Sequence, residues 1–326
     1  MEFNIASLSF VGESRFEPVD TSKVYDVVII GGGPAGLTAA VYCMRKGVSV
    51  ALVAKHAGGQ VADTSGIENY MGYRYINGLE LVDKFKSQVL QFSISYDEGG
   101  DVEAIEDGAI KSVLLKDGRI IKGKTLIIAS GKRWKKLGVP GEVELTGKGV
   151  AYCSICDAPF FAGKKVAVVG GGNSGVEAAI DLAKVAGEVF VIQNLDRLTA
   201  DKILVDKLNS FGNVRFIYKT VVRQIKGVSS VESIVLENTG SLQKTELAVD
   251  GIFIEIGLEP NSDFVKGVLE LNSSGEIIVD CACRTSVNGI FAAGDVTSVP
   301  FKQIIIAAGE GAKAALSACE YLLNEM

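Results

Sequence analysis

A single histidine, His56, in 326 residues leaves this chain nearly without the side chain that most often moves protons or binds metals. A structural zinc site wants four Cys or His ligands, usually as two spaced pairs, and the chain has one Cys-x-x-Cys, Cys153-Ser154-Ile155-Cys156. No metal site is expected. Six cysteines do not make a disulfide framework in a chain of this length. No apolar stretch reaches the roughly 18 residues that would span a bilayer. Residues 1–23 lack a basic start, an apolar run and a small-residue cleavage site, so no signal peptide is read there. The net charge of −6 is spread through the chain, which recommends neither nucleic acid nor an anionic membrane as partner. A cytoplasmic location is the default expectation.

What the chain has in abundance is glycine, 38 residues, within a composition that is 48% hydrophobic. That suits an α/β nucleotide-binding protein with many tight strand-to-helix turns. Two glycine fingerprints of one type stand about a domain apart. The apolar strand Tyr25–Ile30 runs into Gly31-Gly32-Gly33-Pro34-Ala35-Gly36, and Lys165–Val169 runs into Gly170-Gly171-Gly172-Asn173-Ser174-Gly175. After each, a helix is expected (Leu37–Arg45 and Val176–Ala186), then a glycine break and a second strand (Val48–Val53 and Val189–Ile192). Each set is a βαβ unit, the context that gives a glycine motif its meaning.

The remaining segments read as strands at Ile120–Ala129, Ile252–Gly257 and Ile290–Ala293, and as a helix over about 303–323. The turn-rich stretches Gly138–Gly141 and Gly257–Asn261 read as linkers. The fold expected is α/β, with two Rossmann-like three-layer dinucleotide-binding domains, the second inserted into the first. Residues 1–136 and 262–326 form one, and 137–261 form the other, which carries the dithiol.

A glycine turn opening a helix binds pyrophosphate because backbone N–H groups converge there and the helix dipole favours negative charge. Two such turns imply two dinucleotides. A dithiol accepts hydride from nicotinamide too slowly to be useful, and a flavin resolves the mismatch. One turn should hold FAD and the other a nicotinamide nucleotide. Two cysteines separated by two residues can close a small disulfide ring, one thiolate attacking and the other resolving. The departing thiolate needs a proton. His56 lies far off and reads as a solvated turn residue, so Asp157 beside Cys156 is the nearest acid, provided burial raises its pKa. A turn or helix-capping role for Asp157 stands as the alternative. Cys43 and Cys319 read as small core residues. Cys281 and Cys283 read as neighbours on one face of a strand, structural or joined in a disulfide.

From about Tyr25 to Leu323 the chain resembles the low-molecular-weight thioredoxin reductases, and closely the reductase portion of the alkyl hydroperoxide reductase flavoprotein. The marks are Gly58-Gly59-Gln60, Ile67-Glu68-Asn69-Tyr70, Ala129-Ser130-Gly131, Cys153–Asp157, Gly170–Ala179, and Gly294-Asp295 with Lys302-Gln303-Ile304. The resemblance implies that FAD occupies the first turn, Gly31, Gly33, Pro34, Ala35 and Gly36. Gly59, Gln60, Asn69, Ala129, Ser130, Gly131, Gly294, Asp295, Lys302, Gln303 and Ile304 would surround it. It implies that Cys156 faces the flavin, that Cys153 attacks a thioredoxin-like or glutaredoxin-like partner, that two domain orientations alternate about the linkers, and that the protein is a homodimer.

The nicotinamide nucleotide would lie on Gly170, Gly172, Asn173, Ser174 and Gly175, with Gln193 and Arg197 beyond them. NADPH-specific relatives present a His-Arg-Arg run and a further Arg. Here the stretch is Gln193-Asn194-Leu195-Asp196-Arg197, so NADH is favoured, with Arg197 a displaced phosphate contact. The hydroperoxide reductase flavoprotein has an N-terminal thioredoxin-like part that is not found before Tyr25, so a separate carrier is expected. Ala158 replaces the usual glycine after the acid. The other readings are an NADH oxidase, a peroxiredoxin-system reductase, a ferredoxin-linked enzyme and a flavin-bound sensor.

Overall fold

The computed structural model of the protein describes residues 16–62 and 67–324, excluding the side chains of Ile155 and Cys156. From the N-terminus come β1 (Val24–Ile30), α1 (Pro34–Arg45), β2 (Val50–Ala54), α2 (Gly78–Val89) and β3 (Ser95–Glu98). A hairpin of β4 (Val102–Glu106) and β5 (Lys111–Leu115) leads to β6 (Ile120–Ile128) and the short β7 (Lys132–Trp134). Then follow β8 (Val150–Ala151), α3 (Ser154–Asp157), β9 (Lys165–Val169), α4 (Asn173–Ala183), β10 (Glu188–Ile192), α5 (Lys202–Asn209) and β11 (Val214–Ile217). A meander of β12 (Thr220–Lys226), β13 (Ser233–Asn238) and β14 (Lys244–Ala248) precedes β15 (Gly251–Ile254). The chain returns through β16 (Leu258–Pro260) to β17 (Ile290–Ala292) and α6 (Ile304–Asn324).

Two compact units result, residues 16–62, 67–132 and 260–324 in the first and 133–259 in the second. In the first the sheet runs β3-β2-β1-β6-β5-β4, with β17 also against β6. The pairs among β3, β2, β1, β6 and β17 are parallel, and the β4–β5 hairpin joins them antiparallel. Period-two alternation sends Val27 and Ile29 to the face covered by α1 and α6, and Val28 and Ile30 to the face covered by Val265, Leu269 and Ile277. Helix α6 lies against α1 so closely that a β-carbon on Gly311 would stand 2.1 Å from the Ala35 carbonyl oxygen.

In the second unit a parallel sheet runs β11-β10-β9-β15-β8. Val166 and Val168 face α4, while Ala167 and Val169 face the antiparallel meander through Ile225, Ile234 and Leu236. Helix, sheet and meander make three layers. The segments that connect the units pair with each other: β7 and β16 form a two-stranded ribbon, and the Asn261 N–H donates to the Gly131 carbonyl at 3.0 Å.

Two expectations need correction. Gly138–Gly141 is no linker. The N–H groups of Leu137 and Gly138 donate to the Glu142 carboxylate at 2.9 and 2.7 Å, and a β-carbon on Gly141 would stand 1.9 Å from the Ile225 carbonyl oxygen. The turn is therefore folded into the second unit, and the chain crosses at β7 instead. Cys281-Ala282-Cys283 is a turn rather than a strand, with Cys283 at φ +64°, so Cys281 is exposed and Cys283 buried. Both are free thiols, as are Cys43 and Cys319. Among the described residues no helix is long and apolar enough to cross a membrane, and no His/Cys/Asp/Glu group could hold a metal ion.

Candidate active site: two glycine turns and a disulfide

The two glycine turns are built alike. Gly31 and Gly170 take φ of +115° and +131°, open to glycine alone without strain. A β-carbon on Gly36 would stand 1.8 Å from the Gly31 carbonyl oxygen, and one on Gly175 2.2 Å from that of Gly170. These glycines let each helix start directly beneath its strand. Gly33 and Gly172 differ in kind: nothing lies within 4 Å of a β-carbon on Gly33, and only the Thr199 Oγ1, at 3.9 Å, approaches one on Gly172. They begin α1 and α4 in extended conformation, with no side chain capping the helix. Free N–H groups in an open cradle are what a pyrophosphate requires.

Around the first turn the parallel order β1-β6-β17 brings three strand ends together. Gly31 at the end of β1 touches Ala129 at the end of β6, and Gly294 after β17 approaches Ala35 at 3.1 Å (β-carbon to Cβ). A β-carbon on Gly59 would stand 3.4 Å from the Gly33 Cα. Ser130 Oγ donates to the Asn261 carbonyl at 2.7 Å, and Gln60 Nε2 to the Lys132 carbonyl at 2.7 Å. Asn69 Nδ2 donates to Gln303 Oε1 at 3.1 Å. Ile304 packs on the small cluster of Val61, Ile67, Ile76 and Leu81. Asp295 follows Gly294, and burial raises its pKa against the opposing pull of Lys302 and Lys132. The first turn, Ala129 and Gly294 thus gather at the carboxyl ends of the parallel strands, the crevice where open α/β sheets bind ligands.

Sequence reasoning missed three residues in this unit, Glu310, Lys132 and Glu276. Glu310 on α6 is buried and accepts the Gly294 N–H at 2.8 Å, which fixes the turn before Asp295. Lys132 and Lys302 both meet the Glu276 carboxylate, at 2.8 and 3.3 Å. Burial opposes the charge on Glu276, but Lys132, Asn272 and Lys302 outweigh it and hold its pKa at about 2. A lone glutamate within the Ala/Gly-rich face of α6 was a readable signal, whereas the Glu276 cluster joins segments far apart in sequence.

In the second unit Thr199 N–H donates to the Gly171 carbonyl at 2.7 Å, drawing the loop after β10 over the second turn. Gln193 is buried, and its amide serves that loop: Nε2 donates to the Arg197 carbonyl at 3.3 Å, and Oε1 accepts the Asn194 N–H at 3.2 Å. Arg197 itself is exposed. The Asn173 side chain is engaged with Asp201, donating to Oδ2 at 2.9 Å and accepting its N–H at 2.8 Å.

Cys153 follows β8 and is disulfide-bonded. Asp157 is half-buried and closes α3 with its N–H donated to the Cys153 carbonyl at 3.2 Å. It stands at the N-terminus of the next short helix, Ala158–Phe161, with no side-chain cap bond to that helix. The Cys156 side chain lies outside the described residues. Helix α3 packs on α4, the helix opened by the second glycine turn.

A glycine turn of one design in each unit, with a disulfide beside the second, is the arrangement met in known proteins. The model of the family described as pyridine nucleotide-disulphide oxidoreductase matches residues 25–311. The chain belongs to that family. Among curated proteins it is 44% identical to the F subunit of alkyl hydroperoxide reductase from Pseudomonas putida, over 96% of this chain and 61% of that protein. A protein named NADH dehydrogenase from Ferdinandcohnia aciditolerans is 43% identical over 92% of this chain and 58% of its own length. The chain thus spans about three fifths of these curated relatives. Among solved structures, the thioredoxin reductase of Lactococcus lactis is 39% identical, with a TM-score of 0.79, over 92% of this chain and 99% of that one.

Members of this family are pyridine nucleotide-disulphide oxidoreductases that bind FAD and NAD(P)H, and the chain has their two-domain dinucleotide-binding fold. The residues present fit two dinucleotides, since both turns leave an uncapped helix start with open space above Gly33 and Gly172.

Proposed function

We infer that the protein is a disulfide reductase of the thioredoxin reductase type. It passes electrons from a nicotinamide nucleotide through FAD and the Cys153/Cys156 pair to a thioredoxin-like or glutaredoxin-like protein disulfide. The observation that carries this reading is the disulfide of Cys153, held between a strand end and the helix that the second glycine turn opens. FAD, when bound, accepts hydride and hands electrons on singly or in pairs, which links nicotinamide to sulfur. The first-unit turn Gly31–Gly36, Gly59, Gln60, Asn69, Ala129–Gly131, Gly294, Asp295 and Lys302–Ile304 hold it.

The chain's own residues divide the rest of the work. Gly170, Gly172, Ser174 and Gly175 receive the nicotinamide nucleotide, with Asn173, Gln193 and Arg197 shaping the loop over it. Cys153 attacks the partner disulfide, Cys156 resolves the mixed disulfide, and Asp157 supplies the proton to the departing sulfur. NADH is favoured over NADPH because the one arginine of the loop, Arg197, is exposed and Gln193 offers no charge to a 2′-phosphate. The relative named NADH dehydrogenase supports the same choice. Free thiols at Cys43, Cys281, Cys283 and Cys319 suit a reducing cytoplasm. A homodimer is the assembly favoured, on the resemblance to the low-molecular-weight thioredoxin reductases.

The test is anaerobic stopped-flow mixing of the yellow protein with NADH and NADPH in parallel, followed by a thioredoxin-like disulfide. Rapid bleaching by NADH with onward reduction of the acceptor is expected. The likeness to the F subunit of alkyl hydroperoxide reductase supports a second reading, supply of electrons to peroxide reduction. Rapid oxygen-dependent turnover that survives Cys153→Ser would favour an NADH oxidase instead.

A further inference from the structure

Tyr152, the residue before Cys153, leaves its strand tied to a buried carboxylate. Strand β8 is only two residues long: Val150 and Ala151 pair with Ile252 and Phe253 of β15, and the ladder stops there. Val150 faces the meander and Ala151 faces α4. Tyr152 returns to the meander face and packs on the cluster of Leu145, Val222 and Ile225. Its hydroxyl donates to Glu142 Oε1 at 2.7 Å.

Glu142 is 1% exposed, and the rest of its bonds pin it to a folded turn. Oε1 also accepts the Leu137 N–H at 2.9 Å, and Oε2 accepts the Gly138 N–H at 2.7 Å. Its own N–H donates to the Val139 carbonyl at 3.2 Å, and its carbonyl accepts the Thr146 hydroxyl at 2.7 Å. The Ile225 N–H donates to the Pro140 carbonyl at 2.9 Å, which seats this turn on the meander. Both ends of the tie are therefore fixed to the core of the second unit. Burial and the neighbouring Glu142 push the Tyr152 phenol above its ordinary pKa, so the hydroxyl stays a donor through the working range. A bond from a hydroxyl to an ionised carboxylate is roughly twice as strong as one between neutral groups. A phenylalanine would fill the same space, so what the hydroxyl adds is orientation.

We propose that Tyr152 is a positioning residue of the redox disulfide: through Glu142 it fixes the backbone from which Cys153 departs, and so holds the Cys153 thiol within closing range of its partner sulfur after reduction. It acts through the chain at Cys153. The inference rests on the reading of Cys153 and Cys156 as the redox pair. Closure of a dithiol is favoured by whatever keeps one sulfur near the other. The S–S bond itself confines the oxidised segment, so loss of the tie frees mainly the reduced one. Removing the hydroxyl should therefore make the disulfide easier to reduce.

The experiment uses the full chain and dithiothreitol, so that it needs neither nicotinamide nor a protein partner. The protein S–S bond breaks, two electrons and two protons pass from the reagent's thiols to the protein sulfurs, and the reagent closes to its cyclic disulfide. The reduced fraction of Cys153 is read by alkylation and mass spectrometry in fixed ratios of reduced to oxidised reagent at pH 7. Tyr152→Phe should shift the equilibrium constant toward the dithiol by roughly fivefold. Asn213→Ala is the control, because it loses two side-chain bonds in the same unit, to the Ala183 and Ala186 carbonyls, each at 3.0 Å. It should lower the melting temperature and leave the redox equilibrium at the wild-type value. An unchanged constant in Tyr152→Phe, or a shift toward the disulfide, would overturn the proposal. An equal shift in Asn213→Ala would overturn it too, by assigning the effect to general loosening of the unit. A wild-type disulfide that fails to exchange with the reagent would overturn the redox reading of Cys153 and this inference with it.

Discussion

Gly36 stands over Gly31 with room for a hydrogen and nothing more, since a β-carbon there would lie 1.8 Å from the Gly31 carbonyl oxygen. Gly33, three residues earlier, has open space at the same test. The two glycines should fail differently when replaced. Gly36→Ala should destabilise the first unit by about 3 kcal/mol, because both clashing groups are backbone and cannot swing aside. Gly33→Ala should leave the apoprotein within about 0.5 kcal/mol of wild type yet lower FAD affinity roughly tenfold. Thermal melts of the apoprotein and flavin titration separate the two effects.

Cys153→Ser should leave the fold intact and flavin reduction by NADH near the wild-type rate, while abolishing reduction of a thioredoxin-like disulfide. Both are read in one stopped-flow experiment. Normal acceptor reduction by this variant would mean that the nucleophile lies elsewhere.

Glu276 makes stability depend on pH with a definite sign. Its folded pKa, about 2, lies below the ordinary carboxylate value, so its contribution is full above about pH 5 and is lost as the pH falls toward 2. The side chain is 14% exposed, so solvent screens the Lys132 and Lys302 pairs only in part, and about 2–3 kcal/mol rides on its ionisation. Urea unfolding at a series of pH values should show Glu276→Gln less stable than wild type at pH 7, with the gap closing toward pH 2.

Glu142 is buried and accepts two backbone N–H groups and the Tyr152 hydroxyl, the last at 2.7 Å. Glu142→Ala should orphan all three donors and destabilise the second unit by about 3 kcal/mol, a fall in melting temperature of about 10 °C. The exposed neighbour Glu144 should tolerate alanine with no measurable change. Differential scanning calorimetry of the two variants checks both statements.

The parts of this protein written in local chemistry were legible in its sequence. The strands before Gly31 and Gly170 are runs of valine and isoleucine, and the turns after them need glycine for reasons confined to a few residues. The Cys-x-x-Cys stood out for the same reason. Partnerships across the chain were not legible. Glu276 finds Lys132 and Lys302 only after the first unit's sheet has formed. The misread segments fail by the same rule. Gly138–Gly141 looks like a linker until Glu142 binds its N–H groups, and Cys283 looks like strand until its positive φ turns the chain.

The ribbon of β7 and β16 also bears on how the chain comes to fold. The first unit needs β17 alongside β6, although an entire second unit is strung between them. Closing so long a loop by chance is slow. The second unit, however, begins and ends at neighbouring points, with Asn261 bonded to Gly131. Once it has folded, the separation that β6 and β17 must bridge shrinks to the short step from Ile128 to Gly131 and the stretch from Asn261 to Ile290. The inserted unit then works as a clasp for its host, so a lesion confined to its core, such as one at Phe253, should slow the maturation of the first unit's sheet.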